Sequence, residues 1–438
     1  MKSSQLRRLA VALCAIAAIG VTPTPAAATP IRNATPWSIL LCRFSDRPAT
    51  PQTTEFFANF LTDAGRGTGG VADYLTDQSG GRITLAGSAV QGWYTMTWSR
   101  AQFDGIDRSV RIQRCVDTAK DAGYTVPSGH RVAVMLNDAV DAGSAGGRVL
   151  LDPNTWNTRF AAHEMLHGYG LDHSWSDDTT YRNVSWAQPG EYDDMWDEMS
   201  AQHTYSVDTR YGASAVGLNA YHLDELGWLP RNRVLTVGAD GVGTRTVTMA
   251  PLEARGEAGL LLARIPFDAG DTSRYYTVEY RRKTGWSAGI PGDTVLLHEI
   301  RNGTPYLLRT GPGGGPRQSL DANGVRVTVQ GATVTITTAV LNRPVYGPNT
   351  CVNGYVWRDA DQTDYVCVTP ATRAEAAADN AAAPSRWVAG AYGPHTCVNG
   401  YVWREAFIGD DVCVVPDRRS RAAADNAAGP GRVLRPAG

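Results

Sequence analysis

No block of like charges interrupts the chain: 41 Lys and Arg stand against 43 Asp and Glu, a formal net charge of −2 over 438 residues. Nothing in that balance supplies the basic face a nucleic acid needs, so no nucleic-acid partner is expected. Long hydrophobic runs are missing too. The longest, Leu9 to Val21, has 13 residues, short of the roughly 20 that cross a bilayer, and no membrane span is expected. No two cysteines stand in C-x-x-C spacing, which leaves a thiolate zinc site without support.

The short apolar run has a different use. Lys2, Arg7 and Arg8 precede it and Ala26-Ala27-Ala28 follow it, the order of a secretion signal with cleavage after Ala28. Residues 1–28 are therefore assigned to a signal peptide, and Cys14 leaves with it. Six cysteines remain, an even number that an oxidising exterior converts to disulfides, so the mature protein is expected to be secreted and extracellular. Cys42 with Cys115 is the one pairing that leaves Cys351, Cys367, Cys397 and Cys413 as two tandem pairs.

A chain of this length exceeds one ordinary core, and its pattern changes along the way. Residues 29–230 mix short apolar strands, at 37–42 and 131–137, with a helix near 104–122. Residues 231–342 carry alternating strands, such as those at 245–249, 276–280 and 325–329, separated by Gly, Asp and Asn turns, and read as an all-β, sandwich-like unit. The tail is a repeat. Cys351-Val352-Asn353-Gly354-Tyr355-Val356-Trp357-Arg358 recurs 46 residues later as Cys397-Val398-Asn399-Gly400-Tyr401-Val402-Trp403-Arg404, giving modules at 343–388 and 389–438. Each is too small for a core to suffice, so one disulfide per module is expected, Cys351–Cys367 and Cys397–Cys413. The fold class is α+β.

Chemistry concentrates in Ala162-His163-Glu164-Met165-Leu166-His167-Gly168-Tyr169-Gly170-Leu171-Asp172-His173. On a helix, His163 and His167 lie one turn apart on one face, where both imidazoles can meet one metal ion, with Glu164 beside them. Gly170 allows the chain to leave the helix and double back, which delivers His173 as a third nitrogen. Three protein ligands leave a fourth position for water, the mark of a catalytic zinc site. The remaining histidines, His130, His203, His222, His298 and His395, are scattered and are expected to be surface or hydrogen-bonded structural residues.

This eleven-residue pattern resembles the zinc-binding motif of the metzincin endopeptidases. Asp193-Asp194-Met195-Trp196-Asp197-Glu198-Met199-Ser200 is similar to the methionine turn of that clan, with Met199 preferred over Met195 as its methionine. Gly70-Val71-Ala72-Asp73-Tyr74, Leu226-Gly227-Trp228-Leu229 and Val278-Glu279-Tyr280-Arg281 resemble segments of the secreted gametolysin and immune inhibitor A type. The resemblance implies a metzincin-like catalytic domain with a twisted mixed sheet and a zinc-binding helix. It implies Zn2+ on His163, His167 and His173, Glu164 as general base and a polypeptide substrate. Some members of the clan add a tyrosine ligand two residues after the turn methionine; Ala201 stands there, so none is expected.

Other features admit two readings each. Asp172, Asp177, Asp178, Asp193, Asp194 and Asp197 offer oxygen ligands for Ca2+, with a solvated acidic loop as the stronger reading. Trp357, Trp403, Tyr355 and Tyr401 form either platforms for a surface polymer or, as the stronger reading, the cores of their modules. The strand at 148–151 is either a free edge for an extended substrate or an ordinary paired strand. An amidohydrolase acting on cell-wall material and a non-catalytic binding protein with a vestigial zinc site are the functional alternatives.

Overall fold

The computed structural model describes residues 31–180, 182, 185–237, 242–268, 271, 273–339 and 347–434; the signal assigned to residues 1–28 lies outside them. Among the described residues no helix is long and apolar enough to cross a membrane. The architecture is mixed α+β, with several sheets and three disulfides.

The first unit is built on a five-stranded sheet. Its order is Ala89–Thr95, Trp37–Arg43, Arg131–Leu136, Arg148–Leu151, Gly143–Ala145; the first four strands are parallel and the last antiparallel. Trp37–Arg43 is buried on both faces, as a central parallel strand must be. Side chains alternate across it: Trp37, Ile39 and Leu41 pack against Phe57, Phe60, Tyr74 and Met165. Leu40 and Cys42 point the other way, onto Ile112, Cys115 and Ala119. The second set belongs to helix Arg108–Asp121, whose first turn is capped by Asp107 and whose Cys115 is bridged to Cys42.

The sheet decides between the two readings of the strand at 148–151 in favour of an ordinary paired strand. Strand Arg148–Leu151 is paired on both sides, and the free edge is Gly143–Ala145, a hairpin return across Gly146 and Gly147, both at positive φ. The glycine-rich stretch 143–147 thus supplies one more strand and its turn.

Two further sheets form the second unit: six strands, ordered Val234–Thr236, Leu262–Pro266, Arg274–Arg281, Thr294–Arg301, Thr304–Leu307 and Trp175–Ser176, and four, Gly243–Thr248, Thr333–Thr338, Val325–Gln330 and Ser319–Ala322. Ile265, Val278 and Leu297 of the first share one core with Val327, Val334 and Ile336 of the second. Trp175–Ser176, from the first unit's chain, closes the edge of the six-stranded sheet, so strand pairing crosses the boundary at residue 230. Buried polar pairs also cross it: Arg281 donates to the carbonyls of Trp196 and Gly217, and Arg264 pairs with Asp224.

Of the six acidic residues, Asp172 is exposed and Asp177 partly buried, but the rest are not a solvated loop. Asp193, Asp194 and Asp197 are fully buried. Asp194 accepts from His298, and Asp197 from His222 and the Asn219 amide. Asp177 and Asp178 accept the amides of Arg309 and Gly313. Donors of the protein occupy the carboxylates of Asp177, Asp178, Asp194 and Asp197, Arg182 lies 3.5 Å from that of Asp193, and among the described residues no cluster that includes them has metal-binding geometry.

In the tail, each module pairs two short strands, Val356–Trp357 with Cys367–Val368 and Val402–Trp403 with Cys413–Val414, ahead of helices Pro370–Arg386 and Pro416–Ala428. The modules exchange partners. Arg358 bonds the Ala422 carbonyl and Asn426 of the second module, and Arg404 bonds the Ala376 carbonyl and Asn380 of the first. Their shared centre is Ala360, Ala406 and Ala422 around the buried pairs Arg358–Asp364 and Arg404–Asp410. The aromatics expected to form the cores are instead only half buried.

Candidate metal centre

Helix Thr158–His167 starts under the Asn157 side chain, which accepts the Phe160 amide, and buries Ala161, Ala162, Met165 and Leu166 against the sheet. That burial fixes its rotation and turns His163, Glu164 and His167 to the cleft below the edge strand. Gly168 closes the helix, Gly170 adopts φ 97°, and His173 returns to the same point.

The Nε2 atoms of His163 and His167 lie 3.0 Å apart, and those of His167 and His173 3.2 Å. Each Nδ1 faces an acceptor: the Glu198 carbonyl at 3.0 Å for His163, the Leu171 carbonyl at 2.7 Å for His167, and the Glu191 carboxylate at 2.6 Å for His173. A carbonyl cannot donate, so Nδ1 carries the hydrogen in His163 and His167, and Nε2 presents a lone pair. Lone pairs converging at this distance repel unless a cation lies between them. Tetrahedral zinc with Zn–N near 2.0–2.1 Å sets its nitrogens about 3.3 Å apart, so the donor set fits such an ion. Among the described residues these three histidines form a group with metal-binding geometry. Burial and the neighbouring imidazoles push His163 well below the usual histidine value and His167 down to about 4, which favours the neutral, ligating form.

Glu164 is buried beside them. Loss of solvent pushes its carboxyl up to about 7, against the Ser144 hydroxyl and amide, which both donate to it. Ser144 sits on the free edge strand, so the carboxylate and the strand are tied. Arg108 approaches from the other side, donating to the Ser144 carbonyl at 3.0 Å and pairing with Asp141 at 2.9 Å.

Met199 is fully buried in the core that holds Met165 and Leu166, in the turn whose Glu198 carbonyl orients His163. Met195 lies at the margin of a separate cluster with Trp196. At Ala201 the turn takes φ 51°.

Three residues of the cleft, and one that supports it, escaped the sequence reading. Tyr192, itself at φ 61°, brings its hydroxyl to 3.0 Å from His173 Nε2. A tyrosine thus reaches the centre from before the methionine turn, although position 201 holds none. Burial, with the charges of Glu191 and Glu164, raises its phenol above the usual value, so it stays a donor at neutral pH. Glu191 orients His173. His203, expected on the surface or in a structural bond, lines the cleft with Trp186, and the two rings are 5.4 Å apart. Arg108 is the fourth. The cleft measures about 350 Å³. No motif spacing marks these residues, since loops and helix ends distant in sequence bring them in; the positive φ at Tyr192 had no glycine to announce it.

No family model matches the chain, and no curated relative matches it. Among solved structures, wild-type OgpA from Akkermansia muciniphila aligns with 63% of this chain and 92% of its own at 11% identity and a TM-score of 0.28. A likeness that slight carries no argument about fold or function.

Proposed function

We propose that this protein is a secreted, zinc-dependent endopeptidase of the metzincin type, with zinc on His163, His167 and His173 and Glu164 as general base. The observation that carries the reading is the convergence of three Nε2 lone pairs, two fixed by carbonyl acceptors at Nδ1, beside a buried carboxyl. The three disulfides suit an oxidising exterior.

A zinc ion bound there supplies a Lewis acid that polarises the scissile carbonyl and acidifies the attacking water. Glu164 takes the proton from that water and returns it to the leaving amine, a task its raised carboxyl suits. Tyr192 donates its hydroxyl to the oxygen on which negative charge develops. An extended polypeptide lies along the Gly143–Ala145 edge by backbone hydrogen bonds. Ser144 already uses its amide on Glu164 and its carbonyl on Arg108, so neighbouring groups of the edge, or movement of Arg108, receive the substrate.

Incubation of the mature protein with casein tests the reading. Degradation that stops with a zinc chelator, resumes on adding zinc and is absent in Glu164→Ala is the expected result. Cleavage of peptidoglycan without proteolysis would move the reaction to another amide, and inertness of a zinc-loaded, folded protein towards both would end it.

A further inference from the structure

The tail uses one module twice, yet the two equivalent faces meet different surroundings. In the first module the guanidinium of Arg231 lies 5.3 Å from the ring centre of Trp357 and 5.0 Å from that of Tyr365. It donates at 2.9 Å to the carbonyls of both Asp364 and Asp361, and the Asp359 carboxylate pairs with it. An arginine of the body is thus held by two rings, two carbonyls and one carboxylate, which fastens the tail to the rest of the chain.

The second module reproduces most of that cage. Trp403 is oriented as Trp357 is, its Nε1 donating to the His395 carbonyl at 2.7 Å where Trp357 donates to Asn349 at 2.6 Å. Glu405 stands for Asp359 and pairs with Arg419 as Asp359 does with Arg373. Asp410 repeats the ion pair and turn of Asp364. Where the first module has Tyr365, the second has Asp411, a second carboxylate, which pairs with His395; where it has Asp361 and Gln362, the second has Phe407 and Ile408. Among the described residues no guanidinium or ammonium lies over Trp403. The face is a cleft of about 600 Å³ with Tyr392 76% exposed at its rim; no Lys or Arg lines it, and of its three carboxylates Asp410 is buried in its pair with Arg404 while the half-exposed Glu405 and Asp411 pair with Arg419 and His395 at its margin.

We propose that this face of the second module is a docking site for an arginine side chain of a partner polypeptide. The first module shows the occupant such a cage selects. There, two carbonyls set for two N–H groups suit a planar guanidinium better than an ammonium. The ring of Trp403 supplies the cation–π face, and Glu405 and Asp411 supply charge. Phe407 and Ile408 add apolar surface for the aliphatic stem. The site lies outside the histidine cleft and does not depend on the proposed activity.

Isothermal titration of the full-length mature chain, carrying Glu164→Gln so that no probe is consumed, tests this. The probes are acetyl-Gly-Arg-Gly-Arg-Gly-amide and its lysine and citrulline counterparts. One saturable site for the arginine peptide is expected, with lysine weaker and citrulline weaker still. Glu405→Gln and Asp411→Asn, whose half-exposed side chains each lose one surface pair and whose folding is checked by circular dichroism, are expected to weaken the arginine peptide by about tenfold each, the scale of one charge-assisted contact to a stacked cation. Equal binding of arginine and citrulline peptides, or affinities untouched by both variants, would overturn the proposal. So would preferential binding of a neutral oligosaccharide at the same face, or self-association of the unliganded chain that Glu405→Gln abolishes, since each names a different occupant.

Discussion

Replacing Glu164 by Gln in metal-free protein should stabilise the fold at neutral pH while removing activity from the metal-loaded form. The carboxyl is pushed from the ordinary 4.5 up to about 7 by burial. Below pH 4.5 both folded and unfolded states hold the proton and no penalty exists. Between 4.5 and about 7 the unfolded state ionises while the folded state does not, and stability falls as pH rises. Above about 7 the folded carboxyl ionises too, and the penalty levels off at about 3 kcal/mol, from roughly 1.4 kcal/mol per pH unit. Gln keeps the shape and carries no charge. Denaturant unfolding of chelator-treated wild type and E164Q at pH 4.5 and pH 8 should therefore give nearly equal stabilities at the lower pH and a more stable variant at the higher. A variant less stable than wild type by the same amount at both values would refute the reasoning, because it would mean the carboxyl is not held against ionisation.

Tyr192→Phe should leave metal content unchanged and lower kcat by roughly 10²-fold, the usual size of one lost oxyanion donor; an unchanged kcat would remove Tyr192 from the chemistry. Glu191→Ala frees the His173 ring and should weaken metal affinity by about 10- to 100-fold, as loss of an orienting carboxylate does elsewhere; competition against a chelator of known affinity reads this directly. Arg404→Ala leaves Asp410 buried without its partner and breaks the bonds to the first module's helix. It should destabilise the tail by about 3–5 kcal/mol, and limited proteolysis should then attack both modules together; loss of the second alone would contradict the exchanged packing.

How much of this was legible in the sequence follows the range of the interactions. His163, Glu164 and His167 are set by one helical turn, and His173 by one glycine-mediated reversal, so local spacing alone located them. The disulfides followed from counting and from the repeat, and all three pairings occur in the structure. Tyr192, Glu191, His203 and Arg108 were hidden because each enters the cleft from a loop or a distant helix, where no periodicity constrains which residue points inward. The buried aspartates were misread for a related reason. Composition shows six carboxylates near one another, but the donors to four of them, His222, His298 and the amides of Arg309 and Gly313, come from residues 222 to 313. The tail aromatics were misplaced because the modules bury arginine–aspartate pairs at a shared interface, an arrangement visible only once both copies are in place.

Metal analysis of the purified mature protein tests the account most directly. One zinc per chain, retained by E164Q and lost from the His163→Ala, His167→Ala and His173→Ala variants while each stays folded by circular dichroism, is the predicted result. A folded wild-type chain that takes up no transition metal even when offered zinc at neutral pH would contradict it.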